Sequence, residues 1–249
     1  SEKVDLPKLM NQFSKLDDNQ IKGLTKMLDS SGKKKELPPI NGDFYELHMK
    51  LTDEQRAIQL KVREFMEKEA KPLVNDYWLH DDFPHELIPK FKKLNLCGVT
   101  YEGYGCPNLP FLMEGVIAME IARVDASLAT FFGVQSGLSM GSIYMCGSEE
   151  QKQKYLPGMQ QFDLIGAFGL AEPEVGSGAA GGLTTTCKKV EGGWILNGQK
   201  KWIGNATFAD VIIIWARDLD DNQVKGFIVE KGTEGFSVEK IKGKMALRI

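Results

Sequence analysis

The sequence predicts an α+β protein, with an all-α helical domain followed by an antiparallel β-barrel or sandwich. Three observations carry this. Apolar residues recur at helical spacing at Ile58, Val62, Phe65, Met66 and Leu73. After about residue 160 the pattern changes to short apolar runs broken by glycine, asparagine and aspartate turns. No helical stretch separates those runs, which argues for antiparallel pairing rather than βαβ units.

Residues 1–45 are polar and broken by Gly32, Pro38 and Pro39, so they read as an N-terminal extension. The helical domain is expected over 46–160. Thr52 and Gln55 form a capping box, and Asp53 and Glu54 suit the positive end of a helix. Pro84 fits the first turn of a second helix, with Leu87, Ile88 and Phe91 on one face. A glycine-punctuated loop, Thr100 to Asn108, leads to a third helix from Phe111 to Arg123. The stretch from Ala126 to Ser148 has no charged residue, yet Ser127, Thr130, Gln135, Ser136, Ser139 and Ser142 make it too polar for a lipid-facing span. A buried central helix is expected there. Ser148 and Gln151 form a second capping box, and Pro157-Gly158 should stop that helix.

The β domain is expected over 161–249, incomplete at its C-terminal end. Strands are predicted at Ile165–Ala171, Thr184–Val190, Trp194–Asn197, Lys200–Ile203, Val211–Ala216 and Gly226–Val229. Turn signals lie at Gly192-Gly193, Asn197-Gly198 and Asp220-Asp221-Asn222, with Asn197-Gly198 the strongest hairpin signal.

Composition narrows the function. The chain has 249 residues, 42% of them apolar, enough for a sizeable core, and a net charge of −3 argues against a nucleic-acid surface. The lysine run Lys33 to Lys35 reads as a solvated tail. Cys97, Cys106, Cys146 and Cys187 form no CxxC pair, which removes zinc and thioredoxin-like readings and makes a reducing compartment the default. The first ten residues lack the apolar core of a signal peptide.

The most informative stretch is Gly166 to Asn205. Gly176 to Gly181 matches GxGxxG, but a dinucleotide-binding turn needs a strand just before and a helix just after. Here Glu172-Pro173-Glu174 precedes it, and Gly182 and three threonines follow. A phosphate-cradling loop on a β scaffold and a plain surface loop both remain open. Trp202 taken alone reads as a core tryptophan, although a ring held there also offers a flat face for a planar cofactor. Glu172 and Glu174 read as loop acids, because Pro173 between them fixes an extended backbone that points them apart. His80 and His85 lie in HDDFPH at a non-helical spacing and read as a solvated helix entry.

These residues together resemble the acyl-CoA dehydrogenase/oxidase superfamily over roughly residues 44–249. The likeness rests on GYGCP (Gly103 to Pro107), EIARVDAS (Glu120 to Ser127), YLPGM, FGLAEPEVGSG, EGGWILNGQKKWIGNATFAD and KGFIVEK. It is nearest the plant-type peroxisomal short-chain acyl-CoA oxidases, with glutaryl-CoA dehydrogenases a neighbouring branch. The resemblance implies an N-terminal helical domain, a middle β domain and a C-terminal four-helix bundle, with FAD between the last two. Phe168, Leu170, Ala171, Gly176 and Ser177 would line FAD. Trp202, Ile203 and Gly204 would lie along its ring, and Ser177 would also meet the acyl-CoA substrate.

The implied reaction is FAD-dependent α,β-dehydrogenation of a short straight-chain acyl-CoA to the trans-2-enoyl-CoA, with reoxidation by O₂. The resemblance places the carboxylate base and the helical bundle beyond Ile249, so no catalytic residue is expected within this chain. The alternative is a catalytically inactive half-length homologue serving as a structural or binding partner. The family commonly has threonine where this chain has Ala171, and aspartate where it has Gly178. Gly204 favours the oxidase branch. Ala129 takes the place of the glutaryl branch's arginine, which disfavours a dicarboxylyl substrate. The resemblance further implies a homo-oligomer, or association with a full-length homologue or complementary chain, in the peroxisome or alternatively the mitochondrial matrix.

Overall fold

The structure, a computed structural model, describes residues 17, 20, 22, 43–178 and 181–248. The lysine run at 33–35, the breaks at Gly32, Pro38 and Pro39, and Ala179, Ala180 and Ile249 lie outside the described residues. Contacts divide the chain into residues 1–46 and 47–249; the second unit holds the elements below.

Helix α1 (Asp53–Phe65) starts on the predicted capping box: Thr52 Oγ1 accepts from Gln55 N at 3.3 Å, and Gln55 Oε1 accepts from Thr52 N at 3.0 Å. A π turn, Met66–Ala70, then leads into α2 (Lys71–Leu79). Pro72 has no N–H for the carbonyl four residues back, and the wider turn accommodates that loss. Pro84 does not open the next helix. It precedes a single 3₁₀ turn, His85–Leu87, and α3 (Ile88–Leu94) carries Pro89 in its first turn. Helix α4 (Phe111–Ala122) follows.

The uncharged stretch forms α5 (Ala126–Gly133), a π segment (Val134–Ser139) and α6 (Met140–Cys146). Asp125 caps α5 by accepting from Leu128 N at 2.7 Å. The stretch is central, as its apolar and hydroxyl composition requires: Phe131, Gln135, Ser139 and Met140 are fully buried. Among the described residues no helix is long and apolar enough to cross a membrane. Helix α7 (Glu149–Gln160) starts on the second predicted capping box. Pro157 does not stop it but lies inside the last turn, where the helix has little length left to lose.

Among the described residues five strands form one sheet: β1 (Gly166–Gly169), β2 (Thr186–Val190), β3 (Gly193–Asn197), β4 (Val211–Asp218) and β5 (Val224–Glu230). The sheet is mixed, which corrects the antiparallel expectation. β4 pairs antiparallel with β5, but β1 and β2 both run parallel to β4. β1 lies against Val211–Ile214 and β2 against Arg217–Asp218, so the two strands follow one another along one edge of β4. The chain between them, 170–185, leaves that edge and returns to it. β3 and the non-helical segment 198–210 carry the chain from β2 to β4, so the parallel β2–β4 pair arises without a crossover helix.

Two further expectations fail locally. The β2–β3 hairpin turns at Gly192 (φ 81°), not at Asn197-Gly198. Gly198 instead passes against Thr185, where an added Cβ would sit 2.5 Å from Oγ1. Residues 200–203 are not a strand, because Trp202 has φ 64° and turns the chain away from the extended region.

Gln135 joins the helices to the sheet. Its Nε2 donates to Met159 O and Leu164 O, both at 2.8 Å, and its Oε1 accepts from Gly166 N at 2.5 Å. A side chain at Gly166 would strike Ser139 and Met159, so only glycine lets β1 begin so close to the central helix. Within the helical part a second polar cluster is buried. Glu120, fully buried, accepts from Gln59 Nε2 at 2.9 Å and from Arg63 at 2.6 and 2.8 Å.

Candidate functional site

The site begins where β1 ends. Phe168 and Leu170 are half-buried, and the Phe168 ring meets Trp215 on β4 edge-to-face at 6.1 Å. From Ala171 the chain turns outward. Glu172 N and Val175 O, and Val175 N and Glu172 O, bond reciprocally at 3.0 and 3.3 Å. This small ring projects Gly176 and Ser177 into solvent. No hydrogen bond among the described residues uses the N–H groups of Gly176 or Ser177. Two free backbone donors on an exposed glycine turn can meet an anion. The loop closes through Gly182 N, which donates to Gly178 O at 2.5 Å.

Glu172 ties the loop together. Its side chain is fully buried. One oxygen accepts from Thr184 N and Thr184 Oγ1, both at 2.6 Å, and the other from Thr185 N at 2.9 Å and Lys200 Nζ at 2.8 Å. Burial alone would raise its pKa. The Lys200 ammonium and the threonine donors outweigh burial and hold the carboxyl well below the usual carboxylate range. Lys200 is pushed down by burial, and Glu172 offsets part of that shift. The loop-acid reading therefore holds for Glu172, while Glu174 is exposed.

The segment from Lys200 to Asn205 runs beside the end of β1. Lys200 Nζ donates to Leu170 O at 3.0 Å, and Lys201 N donates to Ala171 O at 3.0 Å. Trp202 is 60% exposed, with the Lys201 ammonium 5.0 Å from its ring centre. It is thus not a core tryptophan. Ile203 is half-buried against the core, and Gly204 leads to the buried Asn205. Asn205 Nδ2 donates to Phe131 O at 3.2 Å and Gly166 O at 3.1 Å. Its backbone has φ 66°, a region that asparagine tolerates better than most residues.

The structure therefore brings Phe168, Leu170 and Ala171 beside Trp202, Ile203 and Gly204, with Gly176 and Ser177 on the loop that leaves from the same place. An open concavity of about 750 Å³ meets this arrangement at Leu170 and is otherwise lined by Gly181, Trp215, Arg217 and Asn222 among others. Trp215 Nε1 is buried without an acceptor among the described residues. An exposed aromatic face, unused N–H donors and an orphaned indole donor fit a ligand with a planar ring and an anionic group.

Sequence reasoning missed Lys200 and Asn205. Nothing in the sequence distinguishes Lys200 from Lys201. For Asn205 a signal existed, since asparagine directly after glycine favours a left-handed turn. The histidines stay outside the site. The His80 ring lies 2.8 Å from Asp76 O, and the His85 ring packs on Phe83 and Phe208.

The acyl-CoA dehydrogenase N-terminal domain model matches residues 52–163, and the acyl-CoA dehydrogenase middle domain model matches residues 167–249. The chain belongs to the acyl-CoA dehydrogenase family. A Bacillus subtilis acyl-CoA dehydrogenase is 37% identical over 80% of this chain and 53% of its own length. A mitochondrial 2-methylacyl-CoA dehydrogenase of Solanum tuberosum is 33% identical over 80% of this chain and 49% of its own. Among solved structures, a glutaryl-CoA dehydrogenase from Mycobacterium smegmatis in complex with FADH2 is similar with a TM-score of 0.78 and 38% identity, over 82% of this chain and 52% of that one. The acyl-CoA dehydrogenase likeness is thus established by sequence and by fold, whereas the relatives named here give no support to a peroxisomal assignment. The chain spans about half the length of the curated relatives it matches.

Proposed function

We propose that residues 166–205 form the flavin-facing wall of a site for FAD-dependent α,β-dehydrogenation of an acyl-CoA. The observation that carries this reading is that the segment bearing the exposed Trp202 is bonded to Leu170 and Ala171, from which the Gly176–Ser177 turn departs, in a chain of this family. Phe168, Leu170 and Ala171 would border the cofactor, Gly176 and Ser177 would offer N–H groups to its phosphates, and Trp202, Ile203 and Gly204 would flank its ring. Ser177 would also face the acyl-CoA. When bound, FAD supplies an acceptor for the hydride leaving the β-carbon of the acyl thioester.

Glu172 is not the base for the α-proton. It is fully buried, and its two oxygens are occupied by four donors. We assign the base to none of the residues named above. Gly204 supports the oxidase branch, and Ala129, half-buried and uncharged, leaves no cation there for a distal carboxylate, which supports a short straight-chain acyl group. The mitochondrial names of two relatives favour the mitochondrial alternative as the location of a eukaryotic bearer of this chain. Association with a second copy or with a homologous chain is part of the same proposal, and analytical ultracentrifugation reads it.

A second reading, a non-catalytic binding partner, is favoured by Ala171 and Gly178, both of which lack polar side chains that the family commonly has. The test is flavin retention. On the first reading the chain, incubated with FAD and passed through gel filtration, elutes yellow and releases FAD on denaturation. A colourless protein at saturating FAD supports the second.

A further inference from the structure

We propose that Glu172 and Lys200 are the positioning pair of this site, holding the anion-facing loop and the ring-facing segment in one arrangement before any ligand arrives. The proposal deepens the reading of the site given above and rests on it for the ligand, though not for the loop.

Three chain segments meet at this pair. The Glu172 carboxylate accepts from Thr184 N and Thr185 N, so it joins the start of the 173–183 excursion to its end. Lys200 Nζ donates to the same carboxylate and to Leu170 O, which fixes the segment carrying Trp202 to the end of β1. Lys201 N to Ala171 O then sets the register between the two. Neither charged group faces solvent: the side chains are 0% and 8% exposed. A pair so buried is weak evidence for stability, because desolvation offsets most of its attraction. Its use lies in specificity of arrangement. Only one placement of the loop satisfies the carboxylate's four donors, and any other leaves a buried charge without partners.

Thr184 and Thr185 show why the loop mouth closes here and not elsewhere. Gly198 approaches Thr185 so closely that any side chain would collide with its backbone, so the chain just before Lys200 abuts the segment Glu172 holds. The lysine reaches the carboxylate from a neighbouring wall, while the loop tip at Gly176 and Ser177 stays open to solvent. Rigidity at the mouth and openness at the tip together are what a preorganised anion turn needs.

The test is hydrogen exchange by mass spectrometry on the ligand-free chain, with Glu172→Gln, Lys200→Gln, the double variant and Lys200→Arg. The expected result is exchange faster by roughly tenfold or more in peptides covering 173–185 and 199–205 of both single variants. Peptides of β4 and β5 keep their parental protection. The double variant falls short of the two single effects combined, because the Glu172–Lys200 contact is lost in either single variant while each loses further bonds of its own, and Lys200→Arg stays near the parent. FAD association, followed by flavin fluorescence, slows in the same order. Parental exchange in the single variants overturns the proposal, as does strictly additive behaviour in the double variant or a rise spread evenly over the whole chain. A parent that binds no FAD but shows the expected exchange pattern overturns the ligand reading and leaves the positioning role standing.

Discussion

Asn205 donates its side-chain amide to the carbonyl oxygen of Phe131 at 3.2 Å, across 74 residues of sequence. The same nitrogen reaches Gly166 O at 3.1 Å, so one buried side chain fixes the Trp202 segment to both the central helix and the first strand. The position of the exposed tryptophan is therefore set from below, by the core, and not by contacts of its own ring.

Asn205→Ala should destabilise the chain by about 2–3 kcal/mol, through two lost buried hydrogen bonds and strain at a positive φ. Asn205→Gly, which removes the strain but not the lost bonds, should cost less. Urea denaturation of both variants checks the order.

Glu120→Ala should cost ~3 kcal/mol or more, because Arg63 and Gln59 lose a fully buried acceptor. Glu120→Gln keeps one acceptor and should fall between. A chemical-denaturation series on the three chains measures this.

The pair at Glu172 also sets an acid limit. The carboxyl is held below its ordinary value of 4.5, so its contribution is complete above about pH 4.5 and is lost as pH falls through the depressed folded value. The parent should therefore lose urea resistance more steeply below pH 4.5 than Glu172→Gln does. Equal slopes for the two chains count against the ionised pair.

Ala171→Thr should tighten FAD binding by roughly fivefold to tenfold, the worth of one added hydrogen bond. Ala171 is half-buried, and its carbonyl is already engaged by Lys201 N, which leaves the new hydroxyl free for a ligand. Equilibrium dialysis against FAD reads the change. Weaker binding would mean that the side chain points away from the cofactor.

The parts of this fold that sequence made legible were those set by local rules. Thr52/Gln55 and Ser148/Gln151 are short-range caps, and both helices start where they should. The strands after residue 160, residues 200–203 apart, fall close to their apolar runs. The parallel edge of β4 was not legible, since it depends on where a loop returns and not on any residue's propensity. Asn197-Gly198 misled because its glycine answers a close approach by Thr185, a tertiary demand, and no turn is needed there. Lys200–Ile203 misled in the same way: its apolar and β-branched residues suit a strand, but the positive φ of Trp202 presents the ring outward. In the site, glycines and the tryptophan were visible as types. Lys200 was not, because a buried lysine is recognised by its partner and not by its spacing.

The central claim is that Trp202 faces a bound flavin. The direct measurement is an FAD titration followed by tryptophan fluorescence in the parent and in Trp202→Phe, with melting temperature as a control for folding. The account predicts saturable quenching in the parent, most of it absent in Trp202→Phe, and FAD affinity reduced by about tenfold in Trp202→Ala. Equal quenching in the parent and Trp202→Phe, with FAD affinity unchanged in Trp202→Ala, would contradict it.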